Sequence, residues 1–569
     1  MERVISISKG EEKAELVLKN ANIINVFTNE IIEGDVAVFQ GKIVGIGEYE
    51  GEEEMDLEGK YLAPGFVDSH VHIESSMVTP GQFAKAVVPR GVTTVITDPH
   101  EIANVKGIDG IRYMLEESED LPLDVYVMAS SCVPSTPFEN AGAVLEAEDL
   151  KKLKDDERVL GLGEMMNYPG VIGKDEKVLK KLELFKDKII DGHGPLISGK
   201  ELNAYVAAGV KTEHECSTKE EMLERLRLGM YIHIREGSAA KNLRELIQVV
   251  NKDNLRRCIF CTDDKHPSDL LKDGSIDHNI RLAIKEGIDP IDCIKMASLN
   301  AAEVYRLRGK GAIAPGYIAD MVVIDNLDDF NIVKVFKEGK LVAENNKALF
   351  SVPSRDNASM KNTVNIKKVK IDDLKISIKG NKLNVIKLLS HSLITERAVR
   401  DVKDIVVEDG YFVKGENLLK VAVIERHNKT GNIGLGLVED FGLENGAIAS
   451  TVAHDSHNLI VIGDNDKDMI LAIEELERVG GGLTIVSERR VLGTLPLSIA
   501  GLMSEEPLEE VDEKLNKMLD MAYEKLKVSR NIDPFMTLSF IALPVIPEIK
   551  LTDLGLFDVG EFKFIELNQ

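Results

Sequence analysis

From about Leu62 onward, short apolar runs alternate with helical patterns for about 250 residues, and no other feature restricts the possible fold so tightly. Eight runs are legible, at residues 65–72, 93–98, 123–129, 159–164, 188–193, 210–214, 230–235 and 258–263. Helix-start signals stand between them. Ser217-Thr218-Lys219-Glu220-Glu221 matches a capping box twice over ahead of Met222-Leu223. Ser198 precedes a helical stretch at 201–208, and Ser238 precedes another at 239–250. Eight strand–helix units in about 250 residues is the size of a TIM-like (β/α)8 barrel, an α/β fold with a parallel sheet. A doubly wound open sheet would carry a glycine-rich phosphate loop after its first strand, and none is present.

The barrel accounts for less than half of the 569 residues. Before it, residues 14–26, 32–39 and 42–46 alternate as strands, broken at Glu33-Gly34 and Gln40-Gly41. After it, residues 321–324 and 333–342 resume the same texture. The expected arrangement is one small β-sandwich domain from residues 1–62 and 308–347, flanking a barrel at 63–307. A polar, Lys-rich stretch at 348–370 then leads to strands at 421–426, 446–452 and 459–462 and helices at 466–479 and 508–526. Together they predict a C-terminal α+β domain over 371–569.

In such barrels the reactive groups collect at the C-terminal ends of the strands. Those ends read His70-Val71-His72, Asp98-Pro99-His100-Glu101, Ser130-Ser131-Cys132, Glu164, His193, His214, Arg235-Glu236 and Asp263-Asp264. His70 and His72, two apart on a strand, face the same way with Cα atoms about 7 Å apart, so both imidazoles can reach one metal. Glu164, His193, His214 and Asp263 bring the set to four histidines and two carboxylates, too many for one tetrahedral ion. Two divalent ions sharing a carboxylate use them all. Such a pair can deprotonate a water and polarise the bond it attacks. Nitrogen and oxygen donors with carboxylates favour Mn²⁺ or Fe²⁺, with Zn²⁺ as an alternative.

Other polar residues have plainer accounts. His72-Ile73-Glu74 and Cys258-Ile259-Phe260-Cys261 match two halves of a zinc nucleobase-deaminase signature. Arg257 stands where that signature needs proline, and cysteines three apart on a strand point to opposite faces, so they read as packing. Asp98 and His100 also fit as orienters of a ligand histidine, and Arg235-Glu236 as an ion pair beneath a loop. His454, Asp455 and His457 read as turn residues, or as a cover for the barrel mouth.

Acidic residues outnumber basic ones by 96 to 70, giving a formal charge of −26 that repels nucleic-acid backbones and anionic membranes. Basic runs are short and isolated, so neither nucleic acid nor membrane is an expected partner. Five cysteines, an odd and sparse number, point to a reducing compartment. The first ten residues hold no sustained apolar stretch, and the cytoplasm is the expected location.

Pro64-Gly65-Phe66-Val67-Asp68-Ser69-His70-Val71-His72 resembles the first-strand signature of the amidohydrolase superfamily. Ala297-Ser298-Leu299-Asn300-Ala301-Ala302, followed by Gly316-Tyr317-Ile318-Ala319-Asp320, resembles its closing segment. More narrowly, three stretches resemble the bacterial and archaeal adenine deaminase family: Thr97-Asp98-Pro99-His100-Glu101-Ile102-Ala103-Asn104, Gly163-Glu164-Met165-Met166-Asn167 and Asp191-Gly192-His193-Gly194-Pro195. Ala453-His454-Asp455-Ser456-His457-Asn458 and Gly480-Gly481-Gly482 resemble that family's extra C-terminal domain.

The resemblance implies one ion on His70, His72 and Asp263, a second on His193 and His214, and Glu164 bridging them where many relatives use a carboxylated lysine. It implies attack by a metal-bridging hydroxide on C6 of adenine, yielding hypoxanthine and ammonia, with Asp263 carrying a proton to the departing amine. Glu101, His100, Asp98 and Glu236 are candidates to protonate the ring. Arg235, Glu236 and Ser131 are candidates to touch the purine base. A homo-oligomer is expected. The rival functions are a cyclic amidohydrolase of hydantoin or dihydroorotate type and a non-catalytic assembly protein. Glu164 in place of lysine and the extra domain favour deamination over the first, and a complete ligand set argues against the second.

Overall fold

The computed structural model describes residues 1–569. All eight expected runs form parallel strands: Phe66–His72, Val92–Thr97, Asp124–Ala129, Val159–Met165, Ile189–Gly192, Thr212–Glu213, Tyr231–Arg235 and Cys258–Cys261, the last continuing as Asp263–Asp264. Neighbours pair in chain order, and Lys211 N–H reaches the Ile190 carbonyl at 2.9 Å to join the fifth strand to the sixth. Asp263 then pairs with Val71, so the last strand returns to the first and the ring closes. Every residue of Phe66–His72 is buried, as a strand with a packed barrel on one face and helices on the other must be. The helix Leu299–Val304 and the Tyr305 that follows it pack Ala301, Ala302 and Tyr305 against Val67, Ile96, Met128 and Ile259 of the barrel strands.

Local signals were honoured unequally. Thr218 caps Lys219–Arg227 through a full capping box with Glu221. Past Ser238, however, the expected long helix shrinks to Leu243–Leu246 and a 3-10 turn. The reason is competition. Ser238 N–H donates to the Asp264 carbonyl at 2.7 Å and Ser238 Oγ accepts from His266 N–H at 2.8 Å, so the barrel rim takes the groups that would have capped a helix.

The flanking β segments form one nine-stranded sheet. Its centre is Tyr61–Pro64, which runs parallel to Ala14–Asn25 and antiparallel to Met321–Ile324. The sheet curls over a core that includes Leu18, Ile23, Val36, Leu62, Met321 and Phe336. Two turns differ from expectation. Glu33-Gly34 lies inside the strand Glu30–Phe39, paired with Asn22 and Ala21. Residues 333–342 are a hairpin of Ile332–Lys337 and Lys340–Glu344, reversing at Glu338-Gly339, both with positive φ.

The C-terminal region is a ten-stranded sheet holding Leu418–Ile424, Gly446–Ser450 and Leu459–Gly463. Asp466–Val479 opens at Asn465, whose side chain accepts from Asp468 N–H, and ends at Gly480 in the left-handed region (φ 84°). Its apolar face packs Met469, Ile473 and Leu476 on Ala422, Ala447 and Val461. Leu508–Glu524 buries Leu508, Val511, Leu515 and Met518. No helix is long and apolar enough to cross a membrane.

Candidate metal centre

The six predicted ligands converge at the C-terminal mouth of the barrel. Glu164 Oε2 lies 2.7 Å from His193 Nδ1 and 3.2 Å from His214 Nε2, while its Oε1 lies 3.3 Å from His72 Nε2. Asp263 Oδ1 lies 3.1 Å from His72 Nε2 and 3.7 Å from His70 Nε2. The imidazoles of His70 and His214 stack at 4.2 Å between centroids. Asp263 holds a positive φ of 57°, unusual for a residue with a side chain, and this turns its carboxylate into the mouth.

The donors fit a pair of divalent cations. His70 Nε2 is buried without a hydrogen-bond partner. Burial, with the nearby His214, lowers the His70 pKa to about 4 and leaves the ring neutral, the form that ligates. His72 Nδ1 donates to the Asp98 carbonyl at 2.9 Å, which fixes the tautomer and leaves Nε2 free to bind. Burial opposes charge on His193, yet Glu215 and Glu164 raise it to about 9, a field that a bound cation would satisfy instead.

Supporting groups hold these ligands in place. Arg235 donates to Asp263 Oδ2 at 2.7 Å and also contacts Glu215. Although burial opposes ionisation, Arg235 and the two site histidines bring Glu215 down to about 2. Asp98 has both carboxylate oxygens engaged, accepting from Ser130 Oγ at 2.7 Å and Glu164 N–H at 2.9 Å. Gly163 is required for that approach, because a Cβ there would overlap the Asp98 carboxylate. Asp68 accepts from Thr262 N–H and Thr262 Oγ1, tying the first strand to the eighth ahead of Asp263.

Several expected roles change. Arg235 pairs across strands with Asp263 and Glu215, not with its neighbour Glu236. Glu236 meets Lys265 Nζ only through its backbone carbonyl, at 3.2 Å, and burial raises its carboxyl. Ser131 Oγ is committed to the Glu164 carbonyl at 2.6 Å, so it serves the ligand strand. His100 sits centrally, with Nδ1 3.4 Å from Glu164 Oε1 and Nε2 3.6 Å from Glu101 Oε1.

Two groups of residues were missed. Glu215 follows a ligand histidine at a strand end, which was a usable signal. The C-terminal domain reaches into the mouth through His454, Asp455 and His457, for which the sequence left open turn residues, a cover for the mouth and a contact with a neighbouring subunit. His454 Nδ1 lies 2.9 Å from Glu101 Oε1, and His457 Nε2 contacts Glu101 Oε2. This trio is not a further metal site. Ala453 N–H donates to His457 Nδ1 at 3.1 Å, so in the neutral ring the proton resides on Nε2 and faces Glu101.

A closed eight-strand barrel with paired histidines on its first strand and a shared carboxylate on its fourth defines a metal-dependent hydrolase of the amidohydrolase type. Residues 61–342 match the amidohydrolase family and residues 392–563 match the adenine deaminase C-terminal domain. The chain is 55% identical to the adenine deaminase of Clostridium acetobutylicum, over 99% of this chain and 100% of that protein. It is 49% identical to the adenine deaminase of Geobacillus kaustophilus, over 99% of this chain and 98% of that one. The chain belongs to the adenine deaminase family. Among solved structures, a β-aspartyl dipeptidase of Fervidobacterium islandicum is similar at 18% identity, covering 59% of this chain and 98% of that one, with a TM-score of 0.44.

Proposed function

We propose that the protein hydrolyses the 6-amino group of adenine, releasing ammonia and leaving hypoxanthine. The observation that carries the reading is the convergence of four histidines on Glu164 and Asp263, in a chain about half identical to adenine deaminases over its full length. One ion would be held by His70, His72 and Asp263 and the other by His193 and His214, with Glu164 reaching both. Mn²⁺ or Fe²⁺ suits a set of imidazoles and carboxylates without thiolates, with Zn²⁺ as competitor. When bound, the ions supply Lewis acidity that acidifies the attacking water and polarises the purine at C6.

The chain's own groups move the protons. Asp263 keeps Oδ2 on Arg235 and presents Oδ1 to the site, so it can accept a proton from the water. Although burial opposes ionisation, Arg235 and the flanking histidines hold its pKa well below the usual range. The carboxylate is thereby ionised and able to take up a proton, and its passage to the departing amine is the role assigned to Asp263. We assign ring protonation to His100, the one candidate between Glu164 and Glu101. Asp98 then acts as a positioning residue for His72 and Glu164, and Arg235 and Ser131 position Asp263 and Glu164. Five unpaired, buried cysteines support a reducing, cytoplasmic setting.

The test is ammonia release from a purine panel, with and without added Mn²⁺. Turnover of adenine supports the reading, and silence on adenine under both conditions overturns it.

A further inference from the structure

The loop Ala453–Asn458 of the C-terminal domain is held tightly. His454 N–H donates to the Ser539 carbonyl at 3.1 Å, His457 N–H to the Ala453 carbonyl at 2.7 Å, and His427 Nε2 meets the Ser456 carbonyl at 2.8 Å. Arg426, itself fully buried, donates through Nε to the His457 carbonyl. The polar side chains of the loop are engaged as well. His454 and His457 meet Glu101, Ser456 Oγ accepts from Asn458 Nδ2 at 3.2 Å, and Asn458 Nδ2 donates to the Asn140 carbonyl at 2.7 Å.

Asp455 is the exception. It is 4% exposed, its Oδ2 has no hydrogen-bond partner, and the nearest base to its Oδ1 is His100 Nε2 at 3.9 Å. The other nitrogen of that imidazole lies 3.4 Å from Glu164 Oε1, so Asp455 stands one ring away from the ligand that both ions would share. A second lone oxygen, Oε2 of Glu139, is carried by the barrel loop after Asp124–Ala129. Glu139 Oε1 accepts from Ser135 Oγ at 2.8 Å. A buried carboxylate oxygen without a donor costs free energy that a ligand N–H recovers on binding. Asp455 Oδ2 is such an oxygen, and the C-terminal domain brings it to the edge of the metal centre.

We propose that Asp455 is a substrate-recognition residue, contributed by the C-terminal domain, whose Oδ2 accepts a hydrogen bond from the ring N–H (N7–H or N9–H) of the purine. This inference rests on the adenine reading above. It makes the C-terminal domain a wall of the active site rather than an outer attachment. Asp455 makes no hydrogen bond of its own within the protein, so Asp455→Asn removes charge and acceptor strength at no cost to folding contacts.

The experiment compares wild type with D455N on adenine, 3-deazaadenine, 7-deazaadenine and 9-methyladenine, with bound metal measured in both. The expected result is unchanged metal content and a loss in kcat/KM for adenine of roughly 10- to 100-fold, carried mainly by KM, as a charged hydrogen bond predicts. One analogue, the one that lacks Asp455's partner atom, should show a penalty in wild type that collapses in D455N. A purely structural role would lower all four substrates in parallel and overturns the inference. So does a D455N enzyme within twofold of wild type on adenine. Wild-type silence on adenine overturns the parent reading and this inference with it, whereas an active wild type matched by D455N overturns this inference alone.

Discussion

His454 Nδ1, from the C-terminal domain, lies 2.9 Å from Glu101 Oε1, from the barrel helix His100–Lys106, and both side chains are buried. The two residues are separated by more than half the chain. Burial opposes charge on His454, but Glu101 raises its pKa to about 9. A group raised above its unfolded value contributes stability that is fully present below about pH 6.5 and is lost as pH rises through about 9. His454→Gln should therefore cost the most thermal stability near pH 6 and little near pH 10. Melting temperatures of both proteins across that range check the prediction, and a gap that stays constant with pH contradicts it.

Glu164 is the only side chain within 3.5 Å of His72, His100, His193 and His214 together. Glu164→Gln keeps the shape and removes the charge that would balance the two proposed cations. Bound metal should fall from two equivalents per chain toward one, and turnover by about 10³-fold, the scale of several kcal/mol of lost charge stabilisation. Elemental analysis beside steady-state kinetics reads both. Retention of two ions would contradict the bridging position.

Arg235 donates to Asp263 Oδ2 and contacts Glu215. Arg235→Met should weaken metal binding by about 10- to 100-fold, the usual effect of losing a group that orients a ligand, while the KM of the fully loaded enzyme stays close to wild type. Competition against a chelator gives the affinity. A large change in KM at saturating metal would return Arg235 to the substrate-contact role.

Gly163 lies against the Asp98 carboxylate. Gly163→Ala forces that carboxylate off Glu164 N–H and Ser130 Oγ, and should destabilise the fold by about 1–3 kcal/mol, as overpacked cores do. Bound metal should loosen in the same variant, since Glu164 and the His72 tautomer both depend on Asp98. Denaturant titration and metal content measure the two effects. A fully stable variant with normal metal content would contradict the account.

The barrel and the histidines and carboxylates that converge at its mouth were legible because their signals are local. An apolar run that ends in His, Glu or Asp marks both a strand and its reactive end, and His70 and His72 share a face through the period of two alone. Partnerships were far less legible. Arg235 and Glu236 are adjacent in sequence, but on a strand adjacent side chains point apart, so Arg235 finds Asp263 on the next strand instead. Ser238 carried a sound helix-cap signal that Asp264 and His266 overrode from across the rim. The pairing of Glu101 with His454 and His457 spans more than 350 residues, and no periodicity records a contact of that range. Glu33-Gly34 and Glu338-Gly339 look alike in composition, yet only the second is a turn, because strand partners decide which pair stays extended.

Tyr61–Pro64, at the centre of the outer sheet, is separated from the first barrel strand by Gly65 alone. Gly65 N–H donates to the Asp320 carbonyl at 2.9 Å, and a side chain at Gly65 would overlap Thr93. That junction has no slack. The outer sheet therefore works as an anchor for the strand that carries His70 and His72, and a displacement at its edge is passed along a stiff ribbon to the imidazoles. Damage to a surface strand far from the chemistry should then register first as a loosened metal, well before the protein unfolds.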